Sequence, residues 1–355
     1  MGVFPESIIP LKDFLRSEQA PLVIAGPCSA ESEEQVIMTA RELAGIPQVA
    51  AFRCGIWKPR TRPGDFEGSG QKALNWLERV KAETGLPVCV EVAIPYHIEL
   101  CLKHGVDILW VGSRTVVNPF SVHELAEALK GVDIPVMVKN PVNPELHLWI
   151  GALERLHHQG IRKLAVIHRG FSAYGGRLYR NMPIWEIPIE LRRLFPGLPV
   201  IVDPSHISGN RNLVPSISQT ALNLAFDGLM IESHIRPEEA LTDREQQLTP
   251  SELHNLLSNL SVPSPANSDD IVLQHLRGEI DHIDDQMLVL LAKRMDIARQ
   301  IGEHKRNIGI DFLQIERWKK VVEDRLQKGD ELGLSREFLL NLLHVLHEES
   351  LRAQS

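Results

Sequence analysis

No apolar run in this 355-residue chain approaches the length needed to span a bilayer, so membrane insertion is not expected. Nor does the stretch from Met1 to Gln19 show an apolar core flanked by positive charge and a small-residue cleavage site, so a secretory leader is not expected. Cysteine is scarce. Cys28, Cys54, Cys89 and Cys101 lie in or beside apolar segments without the spacing of a disulfide framework. That usage fits a reducing compartment, and a soluble, cytoplasmic protein is expected. Positive charge is also in short supply: 38 Lys and Arg against 46 Asp and Glu leave a formal net charge of −8. Such a balance argues against nucleic acid as the main partner, so local basic clusters are read as sites for small anions.

What the chain does have is a crowded basic stretch, FRCGIWKPRTRP at 52–63. Arg53, Lys58, Arg60 and Arg62 follow directly on an apolar run that reads as a buried strand, and a strand end crowded with cations calls for an anion. Pro59 and Pro63 fix φ and Gly55 permits a tight exit, which stiffens the loop. Taken alone, the cluster also fits a solvated basic loop.

The same arrangement recurs along the chain. Eight short apolar runs lie between residues 21 and 233: PLVIAGP, VAAFRCG, PVCVEVA, ILWVGS, PVMVKN, LAVIHRG, PVIVDPSH and GLMIES. Each is continuous rather than alternating, as strands buried on both faces must be. Amphipathic segments of helical length separate them, at 32–44, 71–84, 121–129 and 143–159 among others. Eight strand and helix units in about 230 residues predict an α/β fold, a (β/α)8 TIM barrel, with a doubly wound open sheet as the alternative.

The polar residues favour the barrel. The C-terminal ends of the runs carry Cys28, Arg53, Glu91, Arg114, Lys139, His168 with Arg169, Asp203 with His206, and Glu232. Any one of them alone fits a buried ion pair or a core thiol. Closure would gather all of them at one rim, whereas an open sheet would spread them over its width. With the eighth strand beside the first, Cys28, His206, Glu232 and Asp243 converge. One thiolate, one imidazole and two carboxylates suit a divalent first-row metal with open coordination positions, and the mixed set does not name which. Arg53, Lys58, Arg60, Arg114, Lys139 and Arg169 form a second cluster. It implies substrates with several negative charges, held by bidentate Arg and point-charge Lys. A polyanion pocket beside a Lewis acid points to carbon–carbon bond or phosphoryl chemistry on small phosphorylated metabolites.

The strings themselves are similar to those of a known family. GPCS at 26–29, KPRT at 58–61, GSRT at 112–115, VKNP at 138–141, HRGF at 168–171, DPSH at 203–206 and IESH at 231–234 resemble 3-deoxy-D-arabino-heptulosonate 7-phosphate synthase, the entry enzyme of the shikimate pathway. The resemblance spans about residues 20–250. It implies that Cys28, His206, Glu232 and Asp243 hold the metal, one of Mn, Co, Fe or Zn. Arg53, Lys58, Arg114, Lys139 and Arg169 would hold phosphoenolpyruvate, and Arg60 and Thr61, beside Pro59, would face the phosphate of erythrose 4-phosphate. Lys58, between the two anion sites, is the expected proton donor to the new alkoxide, with a purely electrostatic contact as its alternative. Within the same fold, a Schiff-base aldolase using Lys139 or Lys163 is the runner-up. The eight-carbon octulosonate synthase is a closer relative, separable by its acceptor sugar.

After Leu257 the composition shifts to SNLSVPSPANS, which reads as a linker over 259–268 between a barrel at 1–258 and a second domain at 269–355. Ser268 suits an N-cap, with Asp269 and Asp270 in the first turn. Apolar residues then recur at Leu276, Ile280, Ile283, Met287, Leu290, Ile297 and Ile301 in steps of three and four, with Arg294 in the same seam. The stripe runs to about Asn307, a helix of about 55 Å, too long to bury its face alone. Shorter helices are expected near 312–327 and 336–352, the latter capped by Ser335. A helical dimerisation module would need no more. A cation in the seam is costly without an anion to meet it, though, and Arg277 lies about 25 Å upstream of Arg294. If Arg277, Arg294 and Lys305 serve one small ligand, Arg277 must come from a partner chain.

Residues 270–355 resemble the all-helical chorismate mutases through HLRGEID with Arg277, LLAKRMDIA with Arg294, IGEHKR with Lys305, IER with Arg317, and HEESLRAQ with Ser350 and Gln354. The resemblance implies a homodimer or higher homo-oligomer through this domain and a Claisen rearrangement of chorismate, with Lys305 and Gln354 directed at the ether oxygen. Trp318 stands where the family usually has Glu, and Gln314 where it has Asp; both bear on the contact to the substrate hydroxyl. An active mutase that also passes prephenate feedback to the barrel is expected, with a catalytically weak regulatory or dimerisation module as the alternative.

Overall fold

The computed structural model describes residues 8–10, 13, 15, 21–59, 62, 64–173, 178–262, 271–309, 311 and 315–354. All eight apolar runs form strands: β1 (Leu22–Gly26), β2 (Val49–Cys54), β3 (Val88–Val92), β4 (Ile108–Val111), β5 (Val136–Lys139), β6 (Leu164–His168), β7 (Val200–Val202) and β8 (Gly228–Glu232). Every neighbouring pair is parallel, and β1 pairs with β8 as well as β2, so the sheet closes as a barrel. Closure rules out the open sheet.

Helices follow the strands: α1 (Glu33–Ala44), α2 (Lys72–Thr84), α3 (Pro95–Lys103), α4 (Pro119–Ala128), α5 (Leu146–His158), α6 (Glu186–Leu194), α7 (Pro204–Ser208), α8 (Val214–Asn223) and α9 (Pro250–Asn259). Ser32 caps α1 by accepting from the Gln35 backbone N–H. The helix expected from residue 121 begins two residues earlier. Asn118 accepts from the Phe120 N–H, and Pro119 needs no partner at the first position.

Strand parity sorts the barrel into two cores. Val23 and Ala25, Val88 and Val90, Val136 and Val138, Val200 and Val202 face the helices in the outer core. Ile24, Cys89, Ile108, Trp110, Met137, Ile167, Ile201 and Met230 fill the interior. Both faces are dry, which is why the runs are continuous. Two residues on from an interior position lies another interior position, so Cys89 leads to Glu91, Met137 to Lys139, Ile201 to Asp203 and Met230 to Glu232.

The chain divides into two units, Met1–Ser264 and Pro265–Ser355. The second contains α10 (Ile271–Ile308), α11 (Ile315–Glu331) and α12 (Arg336–Gln354), with α12 packed on both others. At 38 residues α10 is about 57 Å long. Its stripe is open to solvent at Ile280, Ile283, Met287, Leu290, Ile297 and Ile301. Ser335 caps α12 by accepting from the Phe338 N–H at 3.1 Å. Ser268, Asp269 and Asp270, the expected cap of α10, lie outside the described residues, as do Phe312 and Gln314 before α11. Among the described residues no helix is long and apolar enough to cross a membrane.

Candidate active site

The C-terminal ends of the strands surround a cavity of about 390 Å³. Lys58, Arg114, Lys139, Arg169 and Arg180 line it, with His206, Asp243 and Glu91. Its floor begins at β1, where Gly26 holds φ +150 and a Cβ would stand 2.0 Å from the Arg53 carbonyl. That approach sets the Cys28 loop against β2. Cys28 Sγ lies 3.3 Å from Asp243 Oδ2, and Lys58 Nζ lies 3.1 Å from the same sulfur.

Cys28, Glu232 and Asp243 each offer a ligand atom, all within 4.8 Å of one another. His206 stands at the edge of this group, its Nε2 3.7 Å from Glu232 Oε1 and its Nδ1 2.8 Å from Asp203 Oδ2. The local sequence explains the placement: Asp203 ends β7 and caps α7, accepting from the His206 backbone N–H, while its other oxygen aims the imidazole. Asp243 holds its carboxylate in place from a left-handed backbone, φ +47.

Arg53 sits beneath the cavity, only 1% exposed, with Nη2 3.1 Å from Glu232 Oε1 and Nη1 3.9 Å from Asp203 Oδ2. Lys139 Nζ donates to Asp203 Oδ2 at 2.9 Å. Arg169 donates to Asn181 Oδ1 at 2.7 Å, and Arg114 to the Pro59 carbonyl at 3.0 Å. Arg60 and Thr61 lie outside the described residues.

Burial and the Glu232 carboxylate push the Cys28 thiol up to about 12. Burial works against charge on Lys58, but Cys28, Glu232 and Glu91 outweigh it and hold the ammonium above its ordinary range. Burial brings Arg169 down to about 10, which leaves it charged at neutral pH. Asp203 resists burial through His206 and Lys139 and stays well below the usual carboxylate range.

The helical unit has its own cavity, of about 420 Å³. Arg294, Lys305, Arg317, Ser350 and Gln354 line it, with Trp318 and His347. Arg294 donates to Ser350 Oγ and to the Leu346 carbonyl. Gly302 lets the end of α12 approach α10, since a Cβ there would stand 2.5 Å from the Gln354 carbonyl. Arg277 is exposed and is not among the lining residues.

The DAHP synthetase I family model matches residues 11–262. The chain belongs to the DAHP synthetase I family. The chorismate mutase type II model matches residues 276–355, so a mutase domain, an isomerase, is fused behind the synthase barrel, a transferase. Phospho-2-dehydro-3-deoxyheptonate aldolase of Thermotoga maritima is 29% identical over 243 residues, 68% of this chain and 70% of that one. 2-Dehydro-3-deoxyphosphooctonate aldolase of Nitratidesulfovibrio vulgaris is 27% identical over 277 residues, 71% of this chain and 96% of its own. The crystal structure of the Thermotoga maritima heptonate aldolase superimposes with a TM-score of 0.61 at 26% identity, over 72% of this chain and 76% of that one.

Several residues of the synthase site escape sequence reasoning. Arg180 donates to Asp243 Oδ1 at 3.0 Å and to Gln246 Oε1 at 2.8 Å, and Gln246 Nε2 donates to Glu232 Oε2 at 2.7 Å. None of them ends an apolar run. His168 does end one, but it is turned away from the cavity and packs against Phe171 and Trp185. Parity carried the signal: His168 shares the outward face of Leu164 and Val166.

Proposed function

We propose that the barrel joins phosphoenolpyruvate to erythrose 4-phosphate with the addition of one water at the enol-ether carbon, releasing phosphate and 3-deoxy-D-arabino-heptulosonate 7-phosphate, and that it needs a divalent metal to do so. The observation that carries this reading is the Cys28, Glu232 and Asp243 cluster at the foot of a cavity lined with cations. The donor set fits a metal such as Mn, Co, Fe or Zn. Thiol, imidazole and carboxylates converge, and Glu232 Oε1 is buried with the Arg53 guanidinium 3.1 Å away as an ion pair but with no hydrogen bond among the described residues. Cys28, His206, Glu232 and Asp243 would hold the ion. When bound, it supplies Lewis acidity toward the tetrose aldehyde oxygen.

The other roles belong to the chain's own side chains. Arg53, Lys58, Arg114, Lys139 and Arg169 hold the carboxylate and phosphate of phosphoenolpyruvate, while Arg60 and Thr61, beside Pro59, take the tetrose phosphate. The grip aligns the enol carbon with the aldehyde. Lys58, kept protonated by the anions around it, donates its proton to the alkoxide as the bond forms.

In the mutase domain Arg294, Lys305 and Arg317 would hold the two carboxylates of chorismate in the reactive fold, with Ser350 beside Arg294 and with Lys305 and Gln354 at the ether oxygen. Arg277, exposed on α10 and about 25 Å from Arg294 along the axis, completes the site of a second copy. The open stripe of α10 is the surface that a homodimer would cover. Prephenate, a dicarboxylate like chorismate, is the effector we assign to feedback on the barrel.

Chelation tests the synthase reading. Treatment with a chelator should abolish heptulosonate formation and added divalent metal should restore it, with no trapping by borohydride. A five-carbon aldose phosphate should be a poor acceptor. Full activity in chelator would retire the reading in favour of a Schiff base on Lys139; Lys163, paired with Asp133 at the opposite end of β6, is not among the lining residues and drops out as the nucleophile.

A further inference from the structure

The mutase cavity offers more than charge. Arg294, Lys305 and Arg317 answer the two carboxylates of chorismate, but the substrate also carries a ring hydroxyl that loses its water on entering the site. Two polar side-chain atoms of the lining residues are buried without a hydrogen-bond partner among the described residues, Gln354 Oε1 and His347 Nε2. An ether oxygen only accepts, so the Gln354 amide serves it turned over, with its NH2 group where Oε1 stands. His347 Nε2 is the atom left over.

His347 is held in place. Its ring stacks on the Trp318 indole with centroids 3.9 Å apart and planes 17° from parallel, so α11 and α12 together fix the imidazole. His344 tilts against the same indole at 5.9 Å. Burial first, and then Arg294, His344 and Lys305, lower the His347 pKa below the ordinary histidine value. A neutral imidazole has a nitrogen lone pair to offer a hydroxyl, which an imidazolium lacks.

We propose that His347 is a specificity-determining residue of the mutase site: stacked on Trp318, it makes through Nε2 the hydrogen bond to the ring hydroxyl of chorismate. The assignment rests on the reading that this domain rearranges chorismate. The test measures kcat/KM of the full-length protein for chorismate and for an analogue lacking only that hydroxyl. Wild type should prefer chorismate about tenfold, the discrimination expected of one neutral hydrogen bond in a buried site. His347→Phe keeps the stack and loses the nitrogen. It should lower kcat/KM for chorismate about tenfold and leave the analogue within about twofold. His347→Gln, which returns a polar atom at similar reach, should recover most of the preference. An equal loss on both substrates, or a preference that survives in His347→Phe, overturns the assignment and leaves the mutase reading standing. If the wild type turns over neither substrate, the mutase reading fails, and this assignment fails with it.

Discussion

Arg53→Met removes the positive charge from the most enclosed part of the synthase site, and the structure says which anion suffers. Asp203 keeps Lys139 at 2.9 Å and His206 at 2.8 Å, whereas among the described residues Glu232 keeps the Gln246 amide and the more distant His206 and Lys58. The variant therefore leaves one buried carboxylate, fully enclosed, without its nearest cation. Breaking a buried pair from one side costs about 3–5 kcal/mol. At roughly 2–4 °C per kcal/mol for a unit of this size, thermal unfolding should fall by about 6–20 °C. The measurement is circular dichroism on chelator-treated protein. Arg53→Met/Glu232→Gln, which neutralises the stranded carboxylate, should regain about half the loss. Divalent metal should stabilise the single variant more than the double. Lower pH should narrow the gap between Arg53→Met and wild type, because Glu232, depressed by His206 and Arg53 against burial in the wild type, protonates more readily without Arg53. If the double variant is no more stable than the single one, the loss comes from packing and the charge argument fails.

A chain ending at Val262, past α9, should keep heptulosonate synthesis and lose inhibition by prephenate; inhibition that persists would remove the mutase domain from the feedback. His168 is held at about 3 by burial, against an ordinary 6.5, so its neutral form contributes stability that is complete above pH 6.5 and is lost as pH falls toward 3. Between pH 7.5 and 5 the difference should be about 2 kcal/mol by urea unfolding, absent in His168→Phe; equal slopes in the two proteins would contradict it. Gly112→Ala would set a Cβ 2.1 Å from Glu91 Oε1 and break the 2.9 Å bond from Trp110 Nε1. Condensation should fall at least tenfold while chorismate turnover is unchanged, and a fully active variant would show that Glu91 tolerates displacement.

The sequence carried much of the synthase site because strand chemistry is periodic. A run buried on both faces advertises itself, and its last inward residue lands at the rim, as Lys139, Asp203 and Glu232 do. His168 shows the limit of reading by run ends alone, since an end residue has two faces to choose from. Arg180 and Gln247 lie in loops and Gln246 ends a single 3-10 turn, Arg244–Gln246, none of them with a periodicity to read. Gln247 meets Cys28, accepting from its backbone N–H at 3.0 Å, across 219 positions of chain. Nothing local announces such a partner.

The order of apolar runs, the inward parity of the strands and the seam of α10 were already decided by residue type, because burial on two faces or on one stripe admits few patterns. Closure of the barrel was left to the tertiary structure, and with it the pairing of Arg53 with Glu232, the bracing of Asp243 by Arg180 and the stacking of His347 on Trp318. Those contacts join residues that no local rule relates. They exist only once the strands and helices have taken their places, when each buried charge or ring must settle against whatever neighbour the packing supplies.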